Sequence, residues 1–384
     1  MATATATAPL AQLQDLGQSV WVDFMSRQFV RNGELRRLIE VDGIRGVTSN
    51  PTIFEKAIGH SADYDDEIRR MAAGGADVDA IYRSLTVADI REALDLFRPV
   101  YDATDARDGY VSLEVSPRLA HDTGATVAEA KALWQELDRP NAMIKIPATR
   151  EGIPAIEECL TAGLNVNVTL LFSVEAYGQV ARAYLRALRR RADRGDDVAR
   201  VASVASFFVS RIDAEADARM AAQMKKAVNS DRKFALGRLQ GKLAIANAKN
   251  AYALFRSLFG GVDFAVLRAK GARPQRLLWA SVGTKNPQYR DTIYVDELIG
   301  PETVSTMPPA TYEAVKDHGR VRRSLAEATD DAQRLVERLP EVGIDYKELT
   351  DKLLRDGVAS FADSFDQLMA SIAAKRESML ARSA

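Results

Sequence analysis

The stretch Asn141–Thr149, NAMIKIPAT, sets a single lysine inside an apolar run. Two isoleucines flank Lys145, and Pro147 with Gly152 closes the segment, so the run reads as a short strand whose side chains alternate between two faces. Burial strips an ammonium of hydration, which in general lowers the pKa of a lysine and frees an amine able to attack a carbonyl. The competing reading is an exposed lysine on an edge strand, where its charge blocks edge-to-edge association.

Outward from this run, short apolar segments recur along the chain. They are Ser19–Phe24, Ile44–Thr48, Tyr110–Val115, Ala142–Pro147, Val166–Phe172, Val201–Val209, Arg276–Val282 and Thr303–Met307, each read as a strand. Amphipathic stretches separate them. Ala128–Leu137 places Leu133, Trp134 and Leu137 on one face, Val174–Arg191 spaces Tyr177, Val180, Tyr184 and Leu188 as a helix does, and Val358, Phe361, Phe365, Leu368 and Ile372 step by three and four. Such alternation predicts an α/β fold, a parallel sheet closed into a (β/α)8 TIM barrel with additional helices, with an open doubly wound sheet as the alternative. A minimal barrel needs about 250 residues, and the chain has 384. The surplus falls at 51–108 and 213–275, read as long helical connections. No Pro/Gly-rich linker or internal repeat marks a second unit, so residues 1–384 are expected to form one domain, with 1–14 a flexible lead.

Composition excludes several classes of function. Hydrophobic residues at 47% and charged residues at 27% are those of a globular protein, neither disordered nor membrane-spanning. A net charge of -1 gives no electrostatic reason for a nucleic acid or an anionic membrane as partner. The arginines at 186, 189, 190, 191 and 194 read as a solvated helix face. The single cysteine, Cys159, sits in a helical context, reads as a packed thiol, and fits a reducing compartment. The start, MATATATAPL, lacks the basic and apolar regions of a signal peptide, so a cytoplasmic protein is expected. His60, His121 and His318 lie far apart without metal-ligand spacing, and no glycine-rich nucleotide loop follows a strand. A mechanism without metal or cofactor becomes the default.

Barrel enzymes build their active sites at the carboxyl ends of the strands. Polar residues there are Asp23 on the first, Thr48 and Asn50 at the second, Glu114 on the third, Lys145 on the fourth, Asn167 and Thr169 on the fifth and Ser206 on the sixth. Arg211 follows the sixth strand and Lys285 the seventh. Taken singly, each has a structural explanation: Asp23 as a helix cap near Met25, Asn50 as a turn residue before Pro51, Arg211 as a partner of Asp213 or Glu215. Taken together they suit a Schiff-base site for a phosphorylated sugar. A neutral lysine attacks a ketone, an acid/base such as Glu114 removes the water, and a base such as Asp23 takes the proton of the neighbouring hydroxyl as the carbon–carbon bond breaks. Asn50 and Asn167 can orient sugar hydroxyls, and Arg211 and Lys285 can hold a phosphate. Two carboxylates beside Lys145 would favour its charged form, a bias that burial within the barrel must offset.

The motifs WVDF, GVTSNPTIFEKAI, VSLEVSPRLAHDT, IKIPAT, GLNVNVTLLFS, SFFVSRID, LWASVGTKNP with YVDELIG, and TVSTMPPAT occur in this order over nearly the whole chain. In these motifs the chain resembles the transaldolase family in its longer bacterial type. The resemblance implies Lys145 as the Schiff-base lysine, Asp23 as the base for bond cleavage, and Glu114 as acid/base through a water that Thr169 helps position. It implies that Thr48, Asn50, Asn167 and Ser206 surround a dihydroxyacetone moiety and that Arg211 grips the phosphate. Lys285 stands where shorter members often carry arginine, and a lysine lacks the bidentate fork. Phe208 stands where related aldolases tend to carry tyrosine, which tilts the expectation toward group transfer. The implied reaction moves a dihydroxyacetone unit from sedoheptulose 7-phosphate to glyceraldehyde 3-phosphate in the non-oxidative pentose phosphate pathway. The expected partners are sugar phosphates, with no nucleic acid and no membrane, and the expected assembly is a monomer or homodimer. A free aldolase on the same scaffold, and a catalytically silent sugar-phosphate-binding barrel, are the competing expectations.

Overall fold

The computed structural model describes residues 9 to 381. Each of the eight expected segments forms a strand: β1 Gln18–Asp23, β2 Gly46–Thr48, β3 Tyr110–Glu114, β4 Ala142–Pro147, β5 Val166–Leu171, β6 Ser203–Phe208, β7 Arg276–Ala280 and β8 Thr303–Met307. They pair in parallel in chain order, and β8 returns to β1 through Ser19↔Val304 and Trp21↔Thr306, so the sheet is a closed barrel and the open alternative is set aside. Helices cover the outer face and side chains fill the inner one, which explains why the strands read as nearly continuous apolar runs. Gly46 permits one close approach in this wall, since a Cβ there would lie 2.6 Å from the Trp21 indole.

Register determines which polar residues share a face. Glu114 lies opposite Lys145, and Lys145 opposite Asn167, so one layer of the interior carries all three. Asp23 lies opposite Thr48 at the same end of β1 and β2. Between Val168 and Leu171 the β5–β6 pairing slips, and Leu170 within that bulge has φ +59°. A bulge re-aims side chains at a barrel rim.

The two long connections are helical, as expected. The first carries Pro51–Phe54, a π-turn Glu55–Gly59, Asp65–Ala73 and Val78–Ala103; the second includes Ser210–Lys226, Ser230–Gly237, Leu243–Gly260 and Val262–Arg268. The arginine-rich end of Val174–Arg194 is tied down by Arg186 and Arg190, both on Glu157 at 2.6 and 3.0 Å. Residues 9–14 depart from the expected flexible lead: Pro9–Asp15 is a helix that buries Leu10 and Leu13, and Gln14 Nε2 donates to the Gly43 carbonyl at 2.6 Å. Residues 1–8 of that lead lie outside the described residues.

The last helix, Tyr346–Ala381, crosses the carboxyl end of the barrel. Its apolar stripe buries Phe361, Phe365, Leu368 and Ile372. Gly357 lets it pass over the β5 bulge, because a Cβ there would meet Leu170 at 2.9 Å.

Candidate active site

At the carboxyl ends of the strands lies a cavity of about 550 Å3. Asp23, Thr48, Asn50, Lys145, Thr169, Ser206, Phe208, Arg211 and Lys285, nine of the eleven residues singled out from the sequence, line it. The other two, Glu114 and Asn167, stand behind that wall in the Lys145 layer.

Lys145 is 4% exposed, which disposes of the edge-strand reading. Its Nζ donates to the Ser49 carbonyl at 3.0 Å, lies 3.4 Å from Glu114 Oε2, and sits 5.8 Å from the centre of the Phe361 ring. Burial pushes the Glu114 carboxyl up to about 6, Lys145 pulls it back, and the Asp23 charge adds a smaller upward push. Asp23 is likewise raised above the ordinary carboxylate value by burial, which outweighs the opposing charge of Lys145 and the hydrogen bond from Thr48 Oγ1 at 2.6 Å. A buried Glu114 and a half-buried Asp23, both raised above the ordinary carboxylate value, share the site with one amine, a set of groups able to move protons.

The remaining polar groups divide by whether protein already satisfies them. Asn167 is held by protein at both amide atoms: its Nδ2 donates to Ser112 Oγ at 3.0 Å, and its Oδ1 accepts from Ser206 Oγ at 2.7 Å. Asn50 caps the Pro51–Phe54 helix, its Oδ1 accepting from Ile53 N at 3.0 Å, so the turn reading and the cavity position hold together. Thr169 Oγ1 is buried with no hydrogen-bond partner. Orphaned polar atoms of this kind are rare in folded proteins.

Arg211 makes no ion pair among the described residues. Its guanidinium lies 5.4 Å from the centre of the Phe208 ring, and burial lowers its pKa. The partners offered for it from sequence are taken: Asp213 accepts from Ala244 N and Tyr294 Oη, and Glu215 pairs with Arg219 and Lys352. The cap expected of Asp23 falls instead to Ser26, whose Oγ accepts from Phe29 N. Lys285 is exposed at the rim and unpaired among the described residues. Two unpaired cations on one side of a cavity suit an anionic ligand.

The model of the transaldolase/fructose-6-phosphate aldolase family matches residues 20–372. The chain belongs to that family. Transaldolase 2 of a Nostoc species is 47% identical over 369 residues, which covers 95% of this chain and 97% of the relative. The transaldolases of Acidothermus cellulolyticus and Saccharopolyspora erythraea are each 49% identical, covering 95% and 96% of this chain and 96% and 98% of theirs. Likeness at this level over nearly full length makes the chain a transaldolase-type enzyme, and its closed eight-stranded barrel agrees.

Of the cavity-lining residues that were not singled out from the sequence, Ser281, Thr306, Lys56 and Phe361 bear most on the site. Ser281 lies just beyond β7 with φ +55°, its Oγ 3.0 Å from Ser210 Oγ. It lies inside the WASVG motif, so strand-end logic could have found it. Thr306 Oγ1 lies 2.7 Å from Thr48 Oγ1, and Lys56 reaches the rim from the π-turn. Phe361 was legible only as part of a core stripe, because nothing local says that its helix returns across the barrel mouth. Among the described residues no three or more His, Cys, Asp or Glu side chains gather as a metal site, and no helix is long and apolar enough to cross a membrane.

Proposed function

We propose that the enzyme transfers a dihydroxyacetone unit from sedoheptulose 7-phosphate to glyceraldehyde 3-phosphate through an imine on Lys145. The observation that carries this reading is the Lys145–Glu114 contact at 3.4 Å within a buried layer that opens on the cavity. Proton transfer from the ammonium to Glu114 gives a neutral amine and a neutral acid. The amine adds to the C2 carbonyl of the ketose, and Glu114 returns the proton to the carbinolamine hydroxyl, which leaves as water. The iminium then withdraws electrons from the C3–C4 bond. Asp23 removes the C4 hydroxyl proton, the bond breaks, the aldose phosphate departs, and the three-carbon unit stays on Lys145 as an enamine. The imine is itself the electron sink.

Thr48, Asn50 and Ser206 offer hydrogen bonds to the three-carbon unit, with Asn167 holding Ser206 from behind. The orphaned Thr169 Oγ1 is suited to hold the reacting water. Arg211 and Lys285 bind the phosphate, Arg211 as a planar fork and Lys285 as a point charge. Phe208 favours transfer over free aldol cleavage: its ring packs on Phe172 at 5.1 Å and brings no hydroxyl that could protonate the enamine. This reaction belongs to the non-oxidative pentose phosphate pathway. The proposal extends to a cytoplasmic enzyme acting as a monomer or homodimer, a setting with which one buried, unpaired cysteine accords.

Borohydride reduction in the presence of fructose 6-phosphate tests the reading. A covalent three-carbon or six-carbon adduct is expected on Lys145, located by mass spectrometry. An unmodified Lys145 under turnover conditions removes the proposal. Rapid release of dihydroxyacetone without an acceptor assigns the aldolase reaction instead.

A further inference from the structure

A second cavity, of about 370 Å3, lies behind the catalytic layer and has Glu114 in its wall. The two cavities share no lining residue. Lys145 belongs to the first and Glu114 to the second, so their 3.4 Å contact spans the partition. The last helix forms part of that partition, with Phe361 facing the first cavity and Phe365, one turn on, lining the second.

The rear cavity runs from the surface inward. Asp77, Asp79 and Ala80 at its outer end are exposed, whereas Glu114 at its inner end is 7% exposed. Between these ends its wall is mixed: Glu129 Oε2 accepts from Ser116 N at 2.9 Å, Tyr82 and Thr86 contribute from Val78–Ala103, and Leu113, Leu133 and Phe365 also line it. At the inner end stands Glu114, whose Oε2 is turned to Lys145 Nζ at 3.4 Å. A cavity of this volume, with Asp77 and Asp79 at its outer end, Glu129 along its wall and Glu114 at its inner end, has the room and the polar partners that water needs.

Imine chemistry makes such a passage useful. When the carbinolamine collapses, its C–O bond breaks, the nitrogen lone pair completes the C=N bond, and the oxygen takes a proton from Glu114 and departs as water. Hydrolysis of the product imine reverses each step and consumes one water. At both moments a ketose phosphate occupies the front cavity, its carbonyl carbon at Lys145 and its phosphate at Arg211 near the mouth, so the front route is filled. We propose that water enters and leaves the imine step through the rear cavity, past Glu114, while sugars use the front. Glu129 is then a positioning residue for that water; its carboxyl is raised by burial in the same sense as that of Glu114.

This inference rests on the Schiff-base reading, and the test separates the two. Fructose 6-phosphate carrying 18O at C2 is converted with erythrose 4-phosphate as acceptor, and the sedoheptulose 7-phosphate formed in early turnovers is analysed by mass spectrometry. Borohydride trapping on Lys145 runs in parallel. The rear opening is plugged by Ala80→Trp and, independently, by Asp79→Trp, both at exposed positions outside the catalytic machinery. The parent enzyme is expected to lose most of the label to solvent, and the plugged variants to retain several-fold more of it in product, because the expelled water stays for the hydrolysis step. Retention in the parent, or equal loss in parent and both plugged variants, overturns the rear route. Failure of trapping in the parent overturns the Schiff-base reading instead.

Discussion

Both ends of the barrel interior hold a buried cation beside a buried carboxylate, and they differ in how completely the charges are bonded. At the amino end Arg276 donates from Nη1 to Ser19 Oγ at 2.8 Å and from Nη2 to the Arg107 carbonyl and to Asp108 Oδ1 at 2.6 and 3.0 Å. Asp108 also accepts from Ser19 Oγ at 2.7 Å and Trp21 Nε1 at 3.3 Å. At the carboxyl end Lys145 has one carbonyl acceptor and a carboxylate at 3.4 Å, while Glu114 Oε2 and Thr169 Oγ1 accept nothing. Burial alone therefore does not mark a reactive charge. An incompletely bonded buried pair leaves valences that only a ligand completes, whereas a saturated pair belongs to the framework.

The largest effect is expected at the reactive pair. Lys145→Ala should abolish borohydride trapping and lower kcat by about a thousandfold or more, because the nucleophile is gone. Turnover near the parent rate would make this pair as structural as the other. At the opposite end, Asp108→Ala strands the Arg276 guanidinium and should cost about 3–5 kcal/mol of stability. Urea denaturation measures it, and the folded fraction should keep the parent kcat; a lost kcat at unchanged stability would reverse the assignment.

Arg211→Gln sharpens the contrast between unpaired and paired cations. It should lower kcat/KM for fructose 6-phosphate roughly 10- to 100-fold, the worth of charge-assisted hydrogen bonds of about 1.5–3 kcal/mol. Unphosphorylated fructose should react no more slowly with this variant than with the parent, and an equal loss for both sugars would remove Arg211 from phosphate binding.

Asp213 supplies the smallest effect and an intermediate case, a buried carboxyl near the reactive end whose two oxygens accept from Ala244 N and Tyr294 Oη. Burial pushes its pKa from 3.8 to about 7, so the folded state holds this proton more tightly than the unfolded chain does. The resulting stability is complete below about pH 4 and is lost as pH rises through 7. Between roughly pH 5 and pH 8 the Tm of the parent should fall a few degrees further than that of Asp213→Asn. Parallel falls would mean that Asp213 does not titrate there.

The strands were legible because a barrel strand is buried on both faces and must be apolar, which makes Lys145, Glu114 and Asp23 conspicuous inside such runs. Their shared layer was legible in part, since alternation assigns faces within a strand but not the register between strands. Asn167 shows the difference: its place at a strand end predicted a cavity position, yet Ser112 and Ser206 occupy its amide. The Pro9–Asp15 helix was missed because its two buried leucines find their cover in tertiary contacts, which a seven-residue segment does not announce. Phe361, the rear cavity and the unpaired state of Arg211 depend on where distant segments pack, and no local pattern encodes that.

The helix that roofs the reactive lysine follows β8 in the chain and contributes no strand. On the ribosome, every staves-and-hoops contact of the barrel can form while this last segment is still being made. A nascent chain therefore holds all eight strands before the segment that carries Phe361 exists. Phe361 therefore joins the site from a segment that is added to the chain only after all eight strands are present.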